Sequence, residues 1–124
     1  MMELSCRFNF DAAHRFEHFP AGHPNRGLHG HSFQAEVTVR GAPDPATGFV
    51  LDYSELEARC AEARAQLDHR MLNEIDGLAQ PSLENLCLWI WRRLAPALPG
   101  LARVTVRRDS AGQSCSYAGD GSPA

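Results

Sequence analysis

The chain predicts an α+β domain in which a four-stranded antiparallel sheet carries two helices on one face. Three observations lead there. Two stretches near the start alternate strictly, two helical stripes occupy the middle, and two short alternating runs lie near the end. In chain order this is β-β-α-α-β-β, which packs economically as one sheet with both helices on the same side.

The first strand is read from residues 3–14. Leu4, Cys6, Phe8, Phe10, Ala12 and His14 share one parity, while Glu3, Ser5, Arg7, Asn9 and Asp11 take the other. The second is read from residues 29–40, where Phe33, Ala35, Val37 and Val39 alternate with Ser32, Gln34, Glu36 and Thr38. His29 and His31 continue its apolar parity, and Gly30 between them eases a bend. Taken alone, this pair of histidines reads equally well as imidazoles satisfied by backbone partners. Antiparallel pairing changes the balance, because it sets the end of the first strand beside the start of the second. His14 is then brought towards His29 and His31. Three imidazoles with one position left open are the makings of a catalytic metal site.

The connection at 15–28 contains Pro20, Gly22, Pro24, Asn25 and Gly27 and reads as an irregular loop, with His18 and His23 as solvated residues in it. Residues 41–48 form a turn region, followed by a short apolar bridge at Phe49, Val50 and Leu51. Asp52 with Glu55 has the form of a capping box. The helix it opens presents Leu56, Cys60, Ala63 and Leu67 as its stripe. Asp68-His69, where that helix ends, reads either as a surface pair or as a carboxylate holding an imidazole for proton transfer. Ser82 caps a second helix with Leu83, Leu86, Cys87, Ile90 and Leu94 inward, stopped by Pro96 and Pro99. The last two strands are read at 102–108 and 114–118. The sheet face away from the helices is expected to carry apolar residues too, which points to an oligomer.

The chain has 124 residues, which predicts a single domain over 1–118 with a disordered tail at 119–124. The net charge of -3 offers no electrostatic reason to expect nucleic acid or an anionic membrane as partner. All 12 basic side chains are arginine, which excludes a Schiff-base lysine and a P-loop lysine. No run is long and apolar enough for a membrane span, and the opening Met-Met-Glu-Leu-Ser-Cys-Arg does not read as a signal peptide. Cys6, Cys60, Cys87 and Cys115 are widely spaced and read as reduced thiols, so a cytoplasmic protein is expected.

Five segments occur in an order that resembles one known family: Phe10-Asp11-Ala12-Ala13-His14-Arg15, Leu28-His29-Gly30-His31-Ser32-Phe33, Gly48-Phe49-Val50-Leu51-Asp52-Tyr53, Leu67-Asp68-His69 and Leu72-Asn73. The chain is similar, from about Cys6 to Gly119, to the 6-pyruvoyl-tetrahydropterin and 6-carboxy-tetrahydropterin synthases. The resemblance implies the tunnelling fold, in which three subunits close one β-barrel and two such rings form a homohexamer, a dimer of trimers. It implies Zn2+ on His14, His29 and His31, and a proton relay at Asp68 and His69. The implied substrate is the pterin 7,8-dihydroneopterin triphosphate, and in the bacterial branch the product is 6-carboxy-5,6,7,8-tetrahydropterin of the queuosine pathway.

The chain departs from that pattern in three places. The family's proton-abstracting cysteine stands four residues before the His-Gly-His motif, where this chain has Asn25. An amide does not titrate near neutral pH, so the usual base is missing. The family anchors the pterin ring with a glutamate on the penultimate strand. Counting back from Tyr117 gives Asp109 and counting from Val104 and Val106 gives Arg108; Asp109 is preferred, because a carboxylate accepts two N–H donors. The second helix opens with Ser82-Leu83-Glu84 where the family often has Thr-Ser-Glu. The expected activity is therefore that of a zinc-dependent lyase. The alternative is a paralogue with another pterin side-chain reaction, or one that only binds a pterin.

Overall fold

The computed structural model describes residues 1–120. Of the expected tail, Gly119 and Asp120 are placed, with the Tyr117 hydroxyl donating to Asp120 at 2.5 Å, and 121–124 lie outside the described residues. The strands are β1 (Met2–His14), β2 (His29–Gly41), β3 (Leu101–Arg108) and β4 (Gln113–Tyr117), and the helices are α1 (Tyr53–Leu67) and α2 (Leu83–Leu94). The sheet order is β1-β2-β3-β4 and every pair is antiparallel.

The alternation of β1 and β2 decides what the sheet buries. Phe8, Phe10, Ala12, Phe33, Ala35, Val37 and Val39 face the helices, and Val104 and Val106 continue the layer in β3. α1 packs on β1 and α2 on β3 and β4. Their buried stripes are those the spacing predicts: Leu56, Cys60, Ala63 and Leu67 in α1, and Leu83, Leu86, Cys87, Ile90 and Leu94 in α2. Each such leucine contributes about 1.5–3 kcal/mol through burial. All four cysteines are free.

The caps are in place, with one difference. Asp52 accepts from the Ser54 N–H at 2.9 Å and Ser82 from the Asn85 N–H at 3.1 Å. Glu55 does not complete a capping box; its carboxylate takes the Arg59 guanidinium at 3.0 Å instead. A cationic partner one turn along the helix is a stronger attraction than a neutral backbone donor.

The other sheet face corrects the expectation of a second apolar surface. It carries Ser5, Arg7, Asn9, Gln34, Glu36, Thr38, Thr105, Arg107 and Ser116, because the strict period of two that buries one parity leaves mainly polar residues on the other. These side chains pair across strands: Ser5 with Thr38 at 3.0 Å, Thr105 with Ser116 at 2.7 Å, and Glu36 with Arg7 at 3.0 Å and Arg107 at 3.1 Å. Burial works against the charged form of Glu36, but the two arginine hydrogen bonds outweigh it and hold the carboxyl below its usual range.

The outer edge of β1 is covered where it approaches the histidines. The His69 N–H donates to the Asp11 carbonyl at 2.7 Å, the Ala13 N–H to the Arg70 carbonyl at 3.0 Å, and Arg64 Nε to the Asn9 carbonyl at 2.8 Å. Met71 forms a parallel bridge with Ala13. The chain leaving α1 thus runs back along the strand that carries His14.

Candidate functional site

The β1–β2 register sets His14 opposite His29 and Ala12 opposite His31. Three imidazoles therefore meet at the end of the two strands, with ring centroids 4.6 Å (His14–His29), 5.0 Å (His14–His31) and 4.9 Å (His29–His31) apart. One ring nitrogen from each lies within 4.8 Å of the other two, close enough to hold a metal ion. Gly30 sits in the ladder opposite Ala13 with no break in register. A Cβ there would lie 3.4 Å from the Ala12 carbonyl oxygen, at the near edge of ordinary contact.

The acceptors around the rings select which nitrogen is left for a ligand. His14 Nδ1 is 3.0 Å from the Pro81 carbonyl oxygen and His29 Nδ1 is 2.8 Å from that of Gly27. A carbonyl accepts only, so each Nδ1 carries the proton and each Nε2 a free lone pair. Both of those Nε2 atoms are buried without a hydrogen-bond partner. Burial pushes the His14 imidazole down to about 4, reinforced by His29, His31 and Arg108 and opposed by the bond to Pro81. Burial first, then Arg108 and His29, also lowers His31. Neutral rings with inward lone pairs suit a divalent cation, and the residues present fit one.

The structure brings Asp68 and His69 to the same end of the sheet. Asp68 Oδ1 accepts the Asp11 N–H at 2.9 Å, and Oδ2 takes His69 Nδ1 at 2.9 Å and Arg64 Nη2 at 3.1 Å. The Asp11 N–H foremost, together with His69 and Arg64, holds the Asp68 carboxyl below its usual range. His69 donates from Nδ1, so Nε2 is left to exchange a proton. Its φ of 59° is a left-handed conformation that a non-glycine residue rarely takes, and its side chain is 79 % exposed. A cleft of about 570 Å³ has His31, Gly30 and Ser32 on one wall and His69, Arg70 and Met71 on another. His31 and His69 thus face one space, with Asp11 between them, held by the Ser32 hydroxyl at 2.5 Å.

Asn25 is exposed. Its carbonyl accepts the Phe16 N–H at 3.1 Å and its N–H donates to His23 Nδ1 at 3.1 Å. Phe16 packs edge-on against His14 with ring centroids 4.8 Å apart, so the loop returns residue 25 to the His14 side of the site. His18 and His23 do not join the three histidines; they flank Phe19, which stacks on His23 at 4.0 Å. Asp109 is exposed in the 3-10 turn Asp109–Ala111.

Some residues of the site have roles that sequence reasoning does not assign. Pro81 acts through its carbonyl oxygen, which has no side-chain signature. Asn73 brackets Arg15, accepting its N–H at 3.0 Å and donating to its carbonyl at 2.9 Å, and so ties down the residue after His14. Arg108 continues the inward parity of Val104 and Val106, and its Nη1 lies 3.4 Å from His31 Nε2. That parity was the available signal.

A family profile described as 6-pyruvoyl tetrahydropterin synthase matches residues 3–120. The chain belongs to that family. A 6-carboxy-5,6,7,8-tetrahydropterin synthase of Synechocystis is 38% identical over 105 residues, which cover 80% of each chain. A dihydroneopterin monophosphate aldolase of Pyrococcus furiosus is 38% identical over 96 residues, covering 76% of this chain and 75% of the relative. The Homo sapiens 6-pyruvoyl tetrahydrobiopterin synthase is 34% identical over 111 residues, covering 78% and 77%. The fold matches that of a Caenorhabditis elegans 6-pyruvoyl tetrahydropterin synthase with a TM-score of 0.85, 24% identity and 96% coverage of both chains. No described helix is long and apolar enough to cross a membrane.

Proposed function

We propose that this pterin-synthase family member is a zinc-dependent lyase that converts 7,8-dihydroneopterin triphosphate to 6-carboxy-5,6,7,8-tetrahydropterin. The observation that carries the reading is the pair of buried, unpartnered Nε2 atoms of His14 and His29 beside the His31 ring. Zinc bound there would polarise and acidify the side-chain hydroxyls of the substrate. His14 and His29, fixed by backbone carbonyls, keep their donor atoms in position. Asp68 orients His69, which lines the cleft and whose Nε2 would take the proton from the substrate side chain. Asn25 can hydrogen-bond a substrate hydroxyl but cannot act as a base. Asp109 is the carboxylate we assign to the amino-pyrimidine edge of the ring. We further propose a cytoplasmic homohexamer with no nucleic-acid or membrane partner.

Asn25 supports a second reading, in which the chain performs another pterin side-chain reaction or only binds a pterin. The aldolase of Pyrococcus furiosus is as similar in identity as the carboxy-tetrahydropterin synthase. Incubating zinc-loaded protein with dihydroneopterin triphosphate and identifying the products by mass spectrometry separates the two. 6-Carboxy-tetrahydropterin supports the first; a hydroxymethyl product, or unchanged substrate held by the protein, supports the second.

A further inference from the structure

Arg108 is a cation without an anion. Its neighbour Arg107, on the polar sheet face, pairs with Glu36 at 3.1 Å. Arg108 points to the other side, with Nη1 at 3.4 Å from His31 Nε2 and with Nε buried and unpartnered. Among the described residues no carboxylate is paired with it. A buried guanidinium N–H without an acceptor is costly. A divalent cation on the three histidines would add like-charge repulsion over a few ångströms. Both conditions are relieved by the same thing, an oxyanion placed between the metal position and the guanidinium fork.

We propose that Arg108 is the binding residue for an acidic group of the ligand, a carboxylate or a phosphate, held beside the three histidines. The proposal rests on the pterin reading for the rest of the ligand but not for the anion. It gives the ligand of this site a negative charge close to the metal position, in addition to the hydroxylated side chain of the pterin reading. Arg is suited to the task because its two parallel N–H donors match two oxygens of one acid group, whereas a lysine offers a point charge.

The test compares zinc-loaded parent, Arg108→Gln and Arg108→Lys by calorimetric titration with 6-carboxypterin, dihydroneopterin triphosphate and the neutral 6-hydroxymethylpterin. In parallel, cobalt-substituted forms are titrated with acetate and with inorganic phosphate through the visible spectrum. Circular dichroism and metal stoichiometry establish that each variant is folded and loaded. Arg108→Gln is expected to weaken at least one acid ligand by ~10- to 100-fold, as for loss of a charged hydrogen bond, with the neutral pterin unchanged. Arg108→Lys should recover part of that loss. A loss confined to 6-carboxypterin identifies the group as a carboxylate, and one confined to the triphosphate identifies a phosphate. Equal affinity of parent and Arg108→Gln for both acids, or an equal loss for the neutral pterin, overturns the proposal. If no pterin binds the parent, the pterin reading fails and the cobalt titrations decide alone. Identical anion responses in parent and Arg108→Gln, including none in either, would then overturn the role of Arg108.

Discussion

His14 and Pro81 are 67 residues apart in the chain, and the Nδ1 of one lies 3.0 Å from the carbonyl oxygen of the other. The contact does two things at once. It pins the segment before α2 to the end of β1, and it fixes the tautomer that leaves Nε2 free for a ligand. His14 is thus structural and chemical in the same ring, whereas His31 has no backbone partner among the described hydrogen bonds.

The two histidines should therefore fail differently. His31→Ala is expected to lose stoichiometric zinc through chelator dialysis with little change in the unfolding midpoint of the metal-free protein. His14→Ala should lose the zinc and also ~1–3 kcal/mol of metal-free stability, because the buried Pro81 carbonyl is left without a donor. Metal analysis with urea titration of the apo forms reads both. Full zinc occupancy in His31→Ala would remove it from the ligand set.

Asn73 offers a test of how firmly the strand end is held. Asn73→Ala removes both hydrogen bonds to Arg15 and should destabilise by ~1–2 kcal/mol in urea unfolding. Zinc retention should weaken with it, since the residue beside His14 is released. Unchanged retention would show that the β1–β2 ladder alone positions the ring.

The polar face contributes to the acid response. Glu36 titrates below its usual range in the folded chain, so its stabilisation is complete above the unfolded carboxylate value and is lost as pH falls through the folded one. Glu36→Gln should cost ~1–2 kcal/mol at neutral pH and flatten the fall in stability below ~4.5. Parallel pH-dependent slopes for the two proteins would place the acid sensitivity elsewhere.

His69 separates strain from chemistry. Its φ of 59° suits glycine, so His69→Gly should leave stability unchanged or raise it by ~1 kcal/mol. Turnover should nonetheless collapse, as the proton carrier is gone. A variant both stabilised and fully active would show that the imidazole has no part in the reaction.

Asn25 is the position at which a gain is expected. Asn25→Cys places a thiol on the loop that packs beside His14, and a positioned general base is worth ~10²–10⁴-fold in rate. Steady-state turnover of dihydroneopterin triphosphate measures it. A parent already working at ordinary enzyme rates, and slowed by the cysteine, would mean that another group serves as the base.

Alternation is why so much of the architecture is legible in the residues. Phe8-x-Phe10-x-Ala12-x-His14 states a strand, a buried face and a ring aimed at that face in one pattern, and pairing with Phe33, His31 and His29 then follows from antiparallel geometry. Parity also places Arg108 inward, whereas the preference for Asp109 rests on the fit of a carboxylate to the ring of a pterin. Other features have no local pattern. The Pro81 carbonyl and the Asn73 clamp depend on segments far apart in the chain, and backbone groups are the same in every residue. The polar far face was legible from the opposite parity, and the expectation of apolar residues there overlooked it.

The turn running along β1 has one more consequence. Backbone groups that point away from β2 belong to alternate residues, and those of Asn9, Asp11 and Ala13 are already engaged by Arg64 and by residues 68–70. Among the described residues no backbone group outside the sheet engages Glu3 or Ser5, so the start of β1 is the part of that edge left open. A strand arriving from another molecule would have one short landing and little room to slide. The turn that carries His69 therefore also sets how much of the β1 edge is left unpaired.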